Sequence, residues 1–260
     1  MEQLVVEHAQ DLYTRTPDSQ STDVERLCNL VARKDFCFLN AQKTQQLLGL
    51  DIEHDSQAWT EFADSWNRLE QDQFMRDGGT YRYRRHATFS ALPSGRQAYL
   101  EKHQPHYQSV DYNSLNGGIA RDFAPFEDAT VHGEVMQSIL GLCCETFGAL
   151  SPYFAWHIEA HQFRIYAQGA QAGNPTPEGV HRDGVNYVFM MMVHRQNVVN
   201  GTTRIYDRNK HFLTDFTLMQ PFDTAIVNDE RVMHGVTPIV QLDETREAYR
   251  DVLVVTFSKK

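Results

Sequence analysis

The sequence predicts a mainly β barrel with flanking helices, on three observations. His181-Arg182-Asp183 is followed, after 50 intervening residues, by His234. Two of these side chains lie two apart and project from one side of an extended segment, so the distant His has to return on a neighbouring strand for the three to meet. Strand-like runs border these positions: Val185 to Val193, Thr224 to Asn228 ahead of His234, and Asp251 to Phe257 near the C-terminus. From Gly78 onward the chain also reads as short strands broken by Gly, Pro and Asn.

The N-terminal third reads as helical. Thr22-Asp23-Val24-Glu25 fits a capping box, and Val24, Leu27, Cys28, Leu30 and Val31 follow as an apolar stripe. Asp35 to Leu39 is a short strand expected to join the main sheet. Trp59, Phe62, Trp66 and Leu69 gather large side chains on one side of a second helix, a stripe for core packing. Beyond Gly78, Arg82, Arg84, Arg85 and His86 share a strand. Either its charged side faces solvent, or the alternate set Arg82 and Arg84 faces a cavity mouth, where Arg84 meets a substrate carboxylate.

One helix over 130–148, with Val135, Ile139, Leu142, Cys143 and Phe147 on its apolar side, is expected outside the barrel. In the strand His161 to Ala167, alternation sets Phe163, Ile165 and Ala167 against Gln162, Arg164 and Tyr166. The apolar set is expected to pack on helices and the polar set to line the cavity. Gln171 to Pro177, rich in Gly and Pro, is the clearest loop, placed to close over a ligand beside the His181 motif. Arg250 opens the last strand, 16 residues beyond His234. It is read either as a buried guanidinium gripping a carboxylate in two-point fashion or as a salt bridge at a strand edge. Arg246, its rival, lies in a polar stretch resembling a solvated turn.

With 260 residues and 41% hydrophobic content, the chain can bury a sizeable core. A single domain over 1–260 is expected, with a mainly helical lobe at 1–77 and the barrel at 78–260. A net charge of −10 gives no cationic surface for collecting phosphates, so a nucleic-acid partner is not expected. No signal sequence and no apolar stretch of membrane-spanning length is seen, and a cytoplasmic protein is expected. Cys28, Cys37, Cys143 and Cys144 lack a C-x-x-C pattern, and the adjacent Cys143 and Cys144 are read as buried hydrophobes on a helix. Oligomeric state is not legible. His181, Asp183 and His234 are the candidate ligands of a mononuclear iron, holding one face and leaving the other open.

The segments Gly79 to Arg85, Tyr107-Gln108-Ser109, Gly117 to Phe123, Pro177 to Gly184 and Asp229 to His234 together resemble the Fe(II)/2-oxoglutarate-dependent dioxygenases. Within them, they resemble the bacterial free amino-acid hydroxylases of the isoleucine 4-hydroxylase type, over about Gly78 to Phe257. The resemblance implies a double-stranded β-helix, jelly-roll or cupin-like, with His181, Asp183 and His234 as the catalytic Fe(II) ligands. It implies 2-oxoglutarate as cosubstrate, with Arg250 on its distal carboxylate, and O2 as oxidant; on the polar face of the His161 to Ala167 strand, Tyr166 and Arg164 are then either further contacts to that cosubstrate or residues that make structural bonds in the barrel. Arg84, Tyr107, Gln108, Asn113 and Arg121 are the implied substrate contacts. The implied reaction hydroxylates an unactivated C–H bond of a small substrate, a free L-amino acid, releasing succinate and CO2. Related halogenases lack the carboxylate that Asp183 supplies, so hydroxylation is favoured. One departure is Asn200-Gly201-Thr202, where the pattern has a Gly-Gly pair. Two rival readings stand beside this one: a cupin-type metalloenzyme that does not use 2-oxoglutarate, and a regulatory barrel that senses metabolites without turnover.

Overall fold

The computed structural model describes residues 20–50 and 56–260. Those parts of the expected helical lobe that fall in 1–19 and 51–55 lie outside the described residues. Helix α1 (Gln20–Lys34) buries Val24, Leu27 and Val31. The side chain of Thr22, expected to cap it, lies outside the described residues. Strand β1 (Phe36–Leu39) follows, then α2 (Ala41–Leu48), where the Asn40 side chain accepts from the Lys43 amide at 3.0 Å. Gly49 ends α2 at φ 68°, a left-handed conformation that costs glycine little. Helix α3 (Ser56–Asp64) runs into a 3-10 turn at Ser65–Arg68, and Phe62 and Trp66 meet edge to face at 5.2 Å.

Next come β2 (Glu70–Gln71), β3 (Arg82–Ala91), β4 (Ala98–Leu100), β5 (His106–Tyr107) and β6 (Ala120–Arg121). The helix expected over 130–148 is two helices, α4 (Asp128–His132) and α5 (Glu134–Leu150), because Gly133 between them is extended at φ −65° and ψ 146°. The remaining strands are β7 (Trp156–Tyr166), β8 (Tyr187–Gln196), β9 (Val198–Asn200), β10 (Thr202–Asp207), β11 (Phe212–Thr217), β12 (Thr224–Asn228), β13 (Val232–Val236), β14 (Ile239–Gln241) and β15 (Tyr249–Lys259).

The main sheet has the order β1-β12-β8-β15-β7-β3-β2, with β4 on β3, and its pairings are antiparallel. Opposite it stand β11-β10-β13, the pair β14-β9 and the pair β5-β6. Strand β8 shows how the layers close. Tyr187, Phe189, Met191 and Val193 join the core shared with α5, while Val188, Met190 and Met192 pack inward on Ile205 and Val232 of the second sheet. Burial on both faces explains why this strand reads as a continuous apolar run and not as an alternation. The architecture is the double-stranded β-helix, with the helices of the described residues packed on the outer face of the main sheet.

The outer core is dense. Phe147 of α5 is fully buried, stacked at 4.8 Å on Tyr187 and edge-on at 4.8 Å to Phe257. Truncating such a ring costs about 3–5 kcal/mol. This layer makes the main sheet a rigid wall for the cavity on its other side. No helix among the described residues is long and apolar enough to cross a membrane.

Candidate active site

His181 and His234 face each other as an isolated antiparallel bridge, each amide donating to the other's carbonyl at 2.9 Å. Paired backbones put the two side chains on one side, so the rings lie 4.8 Å apart, centre to centre. Asp183, two residues on, projects to the same side. Its Oδ1 lies 3.3 Å from His181 Nε2 and its Oδ2 3.6 Å from His234 Nε2. The three donor atoms lie within 4.8 Å of one another.

The tautomers follow from the surroundings. His181 Nδ1 is 3.0 Å from the Gly179 carbonyl, which can only accept, so Nδ1 carries a proton and Nε2 is turned to the site. Burial opposes charge on His181, but the hydrogen bond and charge of Asp183, with Glu178 behind, push its pKa up to about 10. Burial pushes His234 down to about 4. For Asp183 burial would favour the neutral acid, yet the His181 hydrogen bond and the His234 charge hold it below the usual carboxylate range.

A residue that the sequence reading missed fixes this turn. Asp229 is fully buried; its Oδ1 accepts from the Asp183 amide at 3.0 Å and its Oδ2 from those of Gly184 and Val185 at 2.9 and 3.2 Å. Arg182 Nε donates to its carbonyl oxygen. Only the partners' places in the fold reveal this role, since Asp229 in the sequence is one of many acidic residues near a turn.

The triad opens into a cavity of about 490 Å³ between the sheets, lined also by Arg84, Tyr107, Gln108, Asn113, Arg121 and Arg250. Arg250 is buried on β15, its Nε has no hydrogen-bond partner, and none of the ion pairs among the described residues involves it. Burial, with Arg195 nearby, pushes its pKa down to about 9. Gly201 packs here at φ 73°: a Cβ on it would lie 2.8 Å from Ile239 Cγ2 and 3.6 Å from Arg250 Cδ. Asn200 before it is also left-handed at φ 64°. Asn tolerates that conformation better than other side chains, which accommodates the missing glycine of the expected Gly-Gly pair.

Strand β7 overturns the expected facing. His157, Glu159, His161, Phe163 and Ile165 line the cavity, while Gln162, Arg164 and Tyr166 point the other way. The cause is a set of partners on the outer face. Arg164 Nε and Nη2 donate to Asp251 Oδ1 and Oδ2, both at 2.7 Å, and Nη2 donates to Asn67 Oδ1 at 3.0 Å. The guanidinium also lies 4.1 Å over the Tyr249 ring. Gln162 donates to Ser65 Oγ at 2.7 Å. Tyr166 opens onto a separate cleft with Tyr81 and Tyr83. Arg164 and Tyr166 are thus not cosubstrate contacts.

The other anticipated residues do converge on the cavity. Arg84 is buried with its guanidinium between the Phe123 and Phe163 rings, 3.6 and 4.4 Å from their centres. Arg121 is buried with an unpartnered Nε. Gln108 Nε2 donates to the Asp183 carbonyl at 3.1 Å, and its Oε1 accepts from Asn113 at 3.0 Å and from Arg121 at 3.5 Å. The Gln108 amide thus braces the Asp183 turn from the cavity side. Tyr107 is mostly exposed, at the rim. The loop expected as a lid is stitched down: Gly173 exchanges backbone hydrogen bonds with Ile239 at 3.0 and 2.8 Å.

Comparison with known proteins agrees with this geometry. The family model described as 2OG-Fe dioxygenase matches residues 63–256. The chain belongs to the 2OG-Fe dioxygenase family. It is 26% identical over 162 residues to a 3(1)-hydroxy-L-isoleucine 4-dioxygenase of Pantoea ananatis, covering 61% of this chain and 65% of that enzyme. It is also 26% identical over 196 residues to the L-isoleucine-4-hydroxylase of Bacillus thuringiensis, covering 74% of this chain and 79% of the relative. The crystal structure of a bsmA homolog from Methylobium petroleophilum PM1 superposes with a TM-score of 0.81 at 34% identity over 94% of each chain.

Proposed function

We propose that this protein hydroxylates an unactivated C–H bond of a small free L-amino acid, using Fe(II), 2-oxoglutarate and O2 and releasing succinate and CO2. The observation that carries this reading is Arg250: a buried guanidinium with no carboxylate of its own, in the same cavity as the two-His, one-carboxylate cluster. A lone buried cation is costly unless a ligand anion completes it. A dicarboxylate anchored there by one end and reaching the cluster with its keto-acid end supplies that anion. A barrel that did not use 2-oxoglutarate would have no need of it.

The donor set fits iron. His181 and His234 would present Nε2 and Asp183 one oxygen, with the Gly179 carbonyl and Asp229 holding the ligands in orientation. When bound, iron with 2-oxoglutarate and O2 supplies the oxidising power for the C–H bond. The chain's part is placement. Arg250 orients the cosubstrate, and Arg84 and Arg121 hold the substrate carboxylate. Met190, Val252 and Val254, which line the cavity from the main sheet, keep water from the reacting carbon.

The relatives' isoleucine chemistry supports an amino-acid substrate. The test is succinate release by purified protein with Fe(II), ascorbate and 2-oxoglutarate across the proteinogenic L-amino acids, with mass spectrometry for the gain of one oxygen atom. Succinate above the uncoupled background is expected for at least one of them. A flat background throughout would overturn the free amino-acid reading.

A further inference from the structure

Glu159 lies on the cavity face of β7, two residues before His161, and nothing in the reaction above uses it. Four imidazoles surround its carboxylate. His106 Nδ1 is 2.9 Å from Oε2, His86 Nε2 3.3 Å and His157 Nε2 3.9 Å from Oε1, and His161 Nε2 4.0 Å from Oε2. No Lys or Arg pairs with it among the described residues. Burial pushes the pKa values of His86, His106 and His161 down, whereas hydrogen bonds from His106, His157 and His86 outweigh burial and hold Glu159 below the usual carboxylate range. The cavity wall thus holds an ionised carboxylate met by imidazoles, with no guanidinium or lysine ammonium paired to it among the described residues.

Arg84 is its complement. The nearest carboxylate, Asp72, is 3.8 Å away and already committed to Arg82 at 2.7 Å, and Arg84 Nε has no partner. Between the two unmatched charges stands one ring: Arg84 Nη2 is 2.7 Å from His161 Nδ1, and His161 Nε2 faces Glu159. The separation across an imidazole suits a molecule that carries a carboxylate and an ammonium on one carbon and makes a hydrogen bond from each.

We propose that Glu159 receives the α-ammonium group of the substrate while Arg84 takes its α-carboxylate, with the His161 ring setting the distance between them. This rests on the amino-acid reading given above and narrows it to substrates with both groups free. Amides, carrier-linked thioesters and N-acyl derivatives each leave one buried charge unmatched, the arrangement by which polar sites reject analogues most strongly.

The same cluster, His86, His106, Glu159 and His161, has donor atoms within 4.8 Å of one another and invites comparison with a metal site. Two features favour an ammonium. A guanidinium can only donate, so His161 Nδ1 accepts from Arg84, which puts the ring hydrogen on Nε2 and removes that lone pair from ligation. A divalent ion would also add two positive charges beside Arg84, whereas a zwitterion adds no net charge.

The test compares wild type with Glu159→Gln on whichever proteinogenic amino acid, L-isoleucine included, wild type turns over fastest, and on that compound's 2-hydroxy-acid and N-acetyl counterparts. Glu159→Gln should raise KM for the amino acid at least about tenfold. The KM for 2-oxoglutarate and the uncoupled succinate rate should stay at wild-type values, which shows that fold and cosubstrate site are intact. The KM for the 2-hydroxy acid should not change between the two proteins. An unchanged amino-acid KM in Glu159→Gln, or wild-type turnover of the N-acetyl compound as good as that of the free amino acid, would overturn the ammonium assignment. So would Zn(II) titration of the Asp183→Ala protein showing one tight equivalent that disappears when Glu159→Gln is added. Absence of turnover on every amino acid by wild type is the separate failure of the substrate class itself, seen before any variant is made.

Discussion

Arg250 and Asp251 are neighbours on β15 with opposite commitments: Arg250 faces the cavity without a partner, and Asp251 faces the outer layer in a two-point pair with Arg164. Strand alternation alone puts consecutive charges on opposite sides of the sheet. The outer charge is neutralised by protein and the inner one is left for a ligand. Arg250→Ala should therefore raise KM for 2-oxoglutarate by roughly 10–150-fold, the equivalent of about 1.5–3 kcal/mol for a charge-assisted pair. Iron affinity should be close to wild type. Parallel loss of both, measured by 2-oxoglutarate kinetics and metal titration, would show that Arg250 supports the metal turn instead.

Arg164→Ala should behave in the reverse way. Asp251 is 1% exposed and Arg164 8% in their side chains, so removing the cation leaves a buried, unmatched carboxylate. Breaking such a pair costs about 3–5 kcal/mol. Urea denaturation should show that loss, while the KM for 2-oxoglutarate stays near wild type. A stability change below about 1 kcal/mol, the range of exposed pairs, would mean that the pair is solvent-screened.

These two arginines also mark how far the sequence can be read. That His181, Asp183 and His234 meet, and that Arg250 faces the same cavity, was legible because each sits near the end of a strand-like run and the spacing from His181 to His234 demands adjacent strands. The facing of β7 was not, because alternation separates two sets of side chains without saying which set is inside. Gln162 and Arg164 look like cavity residues until Ser65, Asn67 and Asp251, remote in sequence, are found on the other side. The ring of imidazoles around Glu159 was illegible for a related reason, since His86, His106 and His161 come from three different strands. The strand assignment around Arg82 and Arg84 held two options open, and the structure buries both residues on the cavity side.

Asp229→Asn should weaken iron binding without removing a ligand. The carboxylate accepts three backbone amides from Asp183, Gly184 and Val185, and an amide group can offer only one oxygen to them. Its NH2 would meet an N–H head on and loosen the turn that aims Asp183. Groups that orient metal ligands typically contribute 10–100-fold in affinity, so a drop of about that size is expected on titration with Fe(II) or Co(II). Wild-type affinity in this variant would show that the turn keeps its shape without Asp229.

Iron uptake should release one proton at about pH 8.5, above the range in which Asp229 titrates and below that of His181. In the metal-free site His181 is pushed up to about 10, chiefly by Asp183 acting against burial, while His234 is pushed down to about 4 by burial. At pH 7, therefore, His181 carries a proton on Nε2 that a metal has to displace, and His234 is already neutral. Between about pH 7 and 10 the apparent iron affinity should rise roughly tenfold per pH unit, because the His181 proton competes with the metal there, and below about pH 7 the dependence steepens as Asp229, pushed up to about 7 by burial and the Asp183 charge, also takes up a proton. Below about pH 4 His234 also takes up a proton and the dependence steepens further. Calorimetric titration in two buffers of different ionisation enthalpy measures the number directly. Zero protons released at about pH 8.5 would mean that His181 is neutral before iron arrives, and two would mean that Asp229 or His234 is still protonated there.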